Sequence, residues 1–126
     1  MIVDAIRNGD TELVKTLINN GAAVDAVDEL GRTALMFASS GGHDEVVKML
    51  LDNGAEADVK DSYDNTALMW ACHGCHAVIV DLLLRHGASI EARNKWDTDA
   101  AGHLVASPCA DEQKEEIREL LRRAGE

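Results

Sequence analysis

Apolar residues recur at helical spacing in several short segments of the chain. The clearest case is a set of four on one face of a predicted helix: Val46, Val47, Leu50 and Leu51. Strand-like alternation of β-branched residues is scarce, and the chain has a single proline. The pattern therefore predicts short amphipathic helices that pack against one another.

Capping signals bound these helices on both sides. Thr33 and Thr66 each precede an Ala-Leu-Met segment, and a threonine hydroxyl at this position accepts a free backbone N–H of the first turn. Gly21, Gly54 and Gly87 follow three apolar segments, where glycine ends a helix by adopting the left-handed conformation. Each helix therefore has a predicted start or stop.

The whole pattern repeats with a period of 33 residues. Thr33-Ala34-Leu35-Met36 aligns with Thr66-Ala67-Leu68-Met69, and Gly54-Ala55 aligns with Gly87-Ala88. A 33-residue period with a Thr-x-Leu-x-x-Ala element is typical of ankyrin repeats. The segments GRTALMFASSGGHDEVVKMLLDNGAEAD and DNTALMWACHGCHAVIVDLLLRHGASIE closely resemble the family pattern.

This resemblance implies an all-α solenoid of stacked helix-turn-helix pairs with projecting β-turn loops. The predicted units are an N-terminal capping repeat at 1–27, full repeats at 28–60 and 61–93, and an atypical C-terminal capping repeat at 94–126. The last unit reads DTDAAGHLVA where the family has its Thr-x-Leu element, and it carries about four extra residues near Ser107-Pro108-Cys109. Its charged segment EQKEEIRELLRRAG suits a terminal repeat with one face in water.

Composition and charge narrow the function classes. Hydrophobic residues make up 46 % of the chain and aromatic residues 3 %, while 12 basic against 23 acidic residues give a net charge of −11. This charge repels phosphates and anionic headgroups, so we expect neither a nucleic-acid nor a membrane partner. The segment 1–10 is charged and unlike a secretion signal, and three cysteines fit a reducing compartment better than a disulfide framework. We expect a soluble protein of the cytoplasm or nucleus.

One motif suggests chemistry. Cys72-His73-Gly74-Cys75-His76 has the C-x-x-C-H pattern of c-type haem attachment, and it could also bind zinc with Cys109 or His103 as a further ligand. The repeat frame favours a plainer interpretation, because His76 aligns with His43, and Cys72 and Cys75 align with the small residues Ser39 and Gly42. In the family, this histidine links the turn between the helices by a hydrogen bond. We therefore predict no metal and no cofactor, and keep a metal or redox role of Cys72, Cys75 and Cys109 as a third hypothesis.

The loops between repeats are the predicted recognition surface. The resemblance implies that their tips and the first helices line a concave face, and the same loop position carries Leu30, Tyr63 and Trp96. Apolar and aromatic residues flanked by polar loop residues are preferred interface anchors. The predicted partner-binding residues are Glu29, Leu30, Arg32, Ser62, Tyr63, Asn65, His73, Lys95, Trp96 and Thr98.

The alternative for the loop residues is that they fold back and only stabilise the adjacent loop. On the first helices, Met36, Met69, Phe37 and Trp70 have the spacing of core residues, although Trp70 could be partly open to the groove. The predicted function is a non-enzymatic protein-protein interaction module that is monomeric when unbound. The alternative function is a small ankyrin-type inhibitor that occludes a partner enzyme.

Overall fold

The computed structural model describes residues 2–125. Eight helices and no regular strand occur in this range, and the helices follow one another in antiparallel pairs. The helices are α1 (Ile2–Arg7), α2 (Thr11–Asn19), α3 (Ala34–Gly41), α4 (Asp44–Asp52), α5 (Ala67–His73), α6 (Ala77–Arg85), α7 (Ala100–Ala106) and α8 (Asp111–Ala124). The all-α fold expected from the sequence is confirmed.

The helices form two layers. The first helix of each pair packs on the first helix of the next, so α1, α3, α5 and α7 make one layer, and α2, α4, α6 and α8 make the other. One continuous core lies between the layers and includes the fully buried Leu35, Leu50, Leu68 and Leu83. Because each pair leaves an apolar face for its neighbours to cover, the stack as a whole makes the core.

The predicted capping signals are confirmed. Thr33 Oγ1 accepts a hydrogen bond from Met36 N at 3.2 Å, and Thr66 Oγ1 accepts one from Met69 N at 3.4 Å. Gly21, Gly54 and Gly87 have φ angles of 86, 89 and 85°, the left-handed region that ends a helix. The sequence signals thus act at the residues where they were expected.

The turn histidines act differently from the expectation. The resemblance implied that the histidine links the turn within its own helix pair by a hydrogen bond. Instead, His76 Nε2 lies 3.1 Å from the carbonyl oxygen of Ser40, which belongs to the preceding helix pair. His43 and His76 also pack over Gly41 and Gly74, where an added Cβ would come within 2.6 Å of the imidazole. A side chain at Gly41 or Gly74 would force the imidazole to shift, so the packing of the histidines favours glycine at both positions.

Candidate functional site

A ladder of loops runs along one edge of the stack, and we call it the loop row. It comprises the segments 28–32, 61–65 and 94–98 that precede α3, α5 and α7. In each segment the first residue donates its backbone N–H to the carbonyl of the fifth at 3.0 Å. The projecting turns implied by the repeat pattern are therefore present.

Each turn is organised by one side chain with an acceptor oxygen. Asp28 Oδ1 accepts from the backbone N–H groups of Leu30 and Arg32 at 3.0 and 2.9 Å. Asp61 makes the same two bonds in its turn, and Asn94 Oδ1 makes them in the third. A side chain that accepts from the backbone two and four residues later fixes the turn without help from its neighbours.

Burial raises the pKa of the Asp28 carboxyl, but hydrogen bonds from the backbone N–H of Arg32 and Leu30 and from the Arg32 guanidinium outweigh it, so the pKa is lowered. The Arg32 guanidinium lies 2.9 Å from Asp28 Oδ2 and 4.9 Å from the centroid of the Phe37 ring. Arg32 is thus held between the Asp28 carboxylate and the face of the Phe37 ring. The same pairing leaves its charge partly neutralised.

Backbone hydrogen bonds join successive loops. Ser62 N donates to the carbonyl of Leu30 at 2.8 Å, and Lys95 N donates to the carbonyl of Tyr63 at 2.8 Å. The Ser62 hydroxyl also donates to the Leu30 carbonyl. These bonds hold the three predicted tip residues, Leu30, Tyr63 and Trp96, in consecutive positions along the row.

The tip residues are exposed, and two of them stack. Leu30, Tyr63 and Trp96 are 38, 39 and 63 % exposed, and the rings of Tyr63 and Trp96 lie 5.5 Å apart between centroids with an interplanar angle of 22°. The alternative weighed for the tip residues was that they fold back and only stabilise the adjacent loop. The structure shows a contact between neighbouring loops at Tyr63 and Trp96, and both residues remain exposed to solvent.

Two small clefts are lined by residues of the first helices and share Trp70 as a lining residue; together we call them the groove. One has a volume of about 120 Å³ and is lined by Arg32, Met36, Phe37, Ser40 and Trp70. The other has a volume of about 130 Å³ and is lined by Asn65, Met69, Trp70, His73 and His103. Met36 and Met69 are buried, as expected for core residues, whereas Phe37 and Trp70 are only partly buried and form the walls.

Asn65 and Thr98 have mainly structural contacts among the predicted binding residues. Asn65 is buried, and its Oδ1 accepts from Asn94 Nδ2 at 2.9 Å, so this residue supports the third loop. Thr98 donates its backbone N–H to Asn94 Oδ1 and is partly buried. The other exposed residues of the predicted set lie in two places. The loop row contains Glu29, Ser62 and Lys95, and the end of α5 carries His73.

A polar network that the sequence interpretation missed supports the exposed tryptophan. Asn94 bonds at once to Asn65, to His103 Nε2 at 3.1 Å, and to the backbone of the Trp96 turn. Burial, and then the nearby His73, lowers the pKa of His103, although Asp99 acts in the opposite direction. The sequence did contain a signal for the turn-fixing role of Asn94, because Asp28, Asp61 and Asn94 recur every 33 residues.

The cysteines of the C-x-x-C-H motif do not act together. Cys72 is fully buried and free, and burial, followed by the charge of Asp99, raises the pKa of its thiol to about 12. Cys75 forms a disulfide with Cys109. The sequence favoured reduced cysteines over a disulfide framework, and this expectation is wrong for Cys75 and Cys109, because stacking of the repeats brings their two turns together in space. Within residues 2–125, no group of three or more His, Cys, Asp or Glu side chains is arranged to hold a metal ion.

The stacked helix pairs and the repeated loops define a helical repeat protein with an open groove along one edge. A family model for ankyrin repeats matches residues 2–94 in three copies. The chain therefore belongs to the ankyrin-repeat family, whose members are generally protein-protein interaction modules and typically non-enzymatic. A comparison with curated proteins gave no significant match. None of the helices in the described range is long and apolar enough to cross a bilayer.

Proposed function

We propose that this protein binds a partner protein or peptide through the tips of the loop row and the groove below them. The observation that carries the proposal is the Tyr63–Trp96 pair, which is stacked, held by backbone hydrogen bonds and still exposed. Large aromatic side chains at the centre of an interface often supply most of the binding energy. Here they stand on a surface that needs no rearrangement to present them.

Pre-organisation supports this role. Stacked aromatic pairs contribute about 0.5–1.5 kcal/mol beyond their buried area, which reduces the freedom of both rings before a partner arrives. Ordering a side chain at an interface otherwise costs about 0.5–1.5 kcal/mol. The stack therefore lowers the entropic cost of binding at Tyr63 and Trp96.

The distribution of charge supports the groove as part of the same surface. Helices α3, α5 and α7 contain no aspartate or glutamate, although the chain has a net charge of −11. The acidic residues lie in the loops, in α1 and in the second layer, where α4 and α8 begin with two acidic residues each. We infer that the net charge serves solubility, and that the groove recognises its partner by apolar contacts and hydrogen bonds.

The proposed contact set keeps the exposed members of the predicted site: Glu29, Leu30, Ser62, Tyr63, His73, Lys95 and Trp96. Arg32 contributes the groove wall, while Asn65 and Thr98 support the third loop. The division into units at 1–27, 28–60, 61–93 and 94–126 is part of the proposal, as are a cytoplasmic or nuclear site of action and a monomeric unbound state.

Affinity capture with two matched variants tests the proposal. In Y63A/W96A the aromatic pair is removed from the loops, whereas L13A/V78A removes two apolar side chains that are 44 and 57 % exposed on α2 and α6. Wild-type protein and the L13A/V78A variant should enrich the same proteins from the source cell, and Y63A/W96A should lose them. Circular dichroism verifies that all three chains are folded.

If folded Y63A/W96A retains the same partners at the same yield, the loop row is not the binding surface. The inhibitor hypothesis is tested on the captured partner. An enzyme that loses activity when wild-type protein is added, and keeps it with Y63A/W96A, would support occlusion as the mechanism.

A further inference from the structure

We propose that Cys75 and Cys109 form a redox-controlled clamp that locks the α7–α8 pair, and with it the Trp96 turn, onto the α5–α6 pair. Cys75 lies in the turn between α5 and α6, and Cys109 lies between α7 and α8. Their Cα atoms are 6.1 Å apart, within the range of about 4.4 to 6.8 Å that disulfides require. The two cysteines are 34 residues apart in sequence, and the bond between them joins two neighbouring helix pairs of the stack.

The repeat frame shows that both cysteines replace residues that already met at this junction. Helix α7 begins and ends 33 residues after α5, so the frame still holds here, and Cys109 takes the place of His76 while Cys75 takes the place of Gly42. At the preceding junction His76 lies over Gly42, where an added Cβ would be 2.8 Å from the imidazole. The contact between Gly42 and His76 at one junction is thus replaced, at the next junction along the stack, by the bond between Cys75 and Cys109.

Cys75 is at a position that disfavours any side chain. Its φ angle is 62°, in the left-handed region, and Gly42 has a φ of 75° at the equivalent place. An L-residue with a Cβ is strained in this conformation, whereas glycine is not. A cysteine here costs some stability, and the bond to Cys109 offsets that cost.

The surroundings of the pair favour reversible chemistry. Cys75 and Cys109 are both partly exposed, so a small thiol can reach them, in contrast to the buried Cys72. Ser107 Oγ lies 3.2 Å from Cys75 Sγ and 2.6 Å from Cys109 Sγ. A hydroxyl at this position can donate a hydrogen bond to a thiolate, which is the species that attacks a disulfide.

The reaction that closes the clamp is thiol–disulfide exchange with a low-molecular-weight disulfide such as oxidised glutathione. One cysteine loses its proton, and its thiolate attacks the small disulfide, which gives a mixed disulfide and releases one small thiolate. The second cysteine thiolate then displaces the other. The two cysteines together lose two protons and two electrons, and one glutathione disulfide becomes two glutathione molecules.

The clamp connects to the loop row through α7. Cys109 N donates to Ser107 Oγ at the end of this seven-residue helix, and His103 in the same helix bonds to Asn94, which fixes the Trp96 turn. Opening the clamp should loosen α7 and then the turn. The effect on partner binding rests on the proposed function, but the effect on α7 does not.

Alkylation and hydrogen exchange test the clamp in the absence of any partner. Wild-type protein is equilibrated in buffers of varied glutathione ratio, free thiols are alkylated, and intact mass is measured, with C72A as the control that keeps the pair. We expect Cys75 and Cys109 to lose two alkylation adducts together as the buffer becomes oxidising, in wild type and in C72A alike. We also expect backbone exchange in residues 100–107 to be at least tenfold slower in the oxidised protein, with α3 and α4 unchanged.

Two results would overturn the clamp. The first is that Cys75 and Cys109 stay alkylatable, or form only mixed disulfides, in the most oxidising buffer. The second is that backbone hydrogen exchange in residues 100–107 is equally fast in the oxidised and the reduced protein. A C75S variant should show the fast exchange in both buffers, which separates the bond from other effects of the buffer. If a partner that requires Tyr63 and Trp96 binds oxidised and reduced protein equally, control of binding is wrong while the proposed function stands.

Discussion

At the scale of single residues, the most predictable features were those with a local cause. Thr33 and Thr66 cap their helices because a threonine hydroxyl can reach the backbone N–H three residues later, and nothing distant is needed. Cys75 and Asn94 were not assigned their contacts from the sequence. Their partners lie 34 and 29 residues away, and only packing of the units brings these side chains together.

Removal of a helix cap gives a prediction at this scale. Thr33→Ala should lower the free energy of unfolding by about 1 kcal/mol, because the buried N–H of Met36 loses its acceptor. Thr33→Ser keeps the hydroxyl and serves as the control. Urea denaturation measures both variants; equal midpoints for wild type and Thr33→Ala would show that the hydrogen bond contributes nothing.

His103 gives a second residue-scale prediction, on pH. Because its pKa in the folded protein lies below the ordinary 6.5, the unfolded chain binds this proton more readily. Stability should therefore fall as pH drops through about 6.5, and continue to fall until the folded-state pKa is reached. A protonated Nε2 would also face the Asn94 amide N–H instead of accepting from it.

The variant H103Q isolates this contribution, since glutamine can accept from Asn94 but does not titrate. Urea denaturation at about pH 7 and about pH 5 should show a larger loss of stability for wild type than for H103Q. Equal losses would mean that His103 does not contribute to the acid sensitivity.

At the scale of helices and loops, the repeat frame predicted more than composition did. It gave the helix pairs, the loop row and the exposed position shared by Leu30, Tyr63 and Trp96. It did not predict that Tyr63 and Trp96 would stack, because the direction of a loop side chain depends on the bonds between loops. The sequence indicated an insertion near Ser107-Pro108-Cys109, but it did not predict the disulfide there. Helix α7 keeps the 33-residue frame, and the extra residues lie in α8, which has 14 residues where α6 has 9.

The clamp gives the prediction at the scale of elements. Closing a loop of 34 residues with a disulfide reduces the entropy of the unfolded chain, which should stabilise the oxidised protein by about 3–4 kcal/mol over the reduced protein. Thermal or urea denaturation with and without reductant measures the difference. C75S should unfold at the same midpoint in both buffers; a C75S midpoint that also shifts with reductant would assign the effect elsewhere.

At the scale of the whole molecule, the stack brings the exposed loop row and the clefts of the first helices together on one edge. The tip residues and the groove lie on the side of α3, α5 and α7, which contain no acidic residues. In the second layer, α4 and α8 are rich in charge. A family match over residues 2–94 supports binding as the general role. Under the proposed function, the choice of partner depends on the particular side chains of this edge, and the repeat pattern does not encode it.

Hydrogen exchange of the partner complex tests the central claim most directly. A partner captured with wild-type protein is purified, and backbone exchange of this chain is measured with and without it. We expect added protection in the loop row and in α3 and α5, with α2, α4 and α6 unchanged. Protection confined to the second layer, with the loop row exchanging as in the free chain, would contradict it.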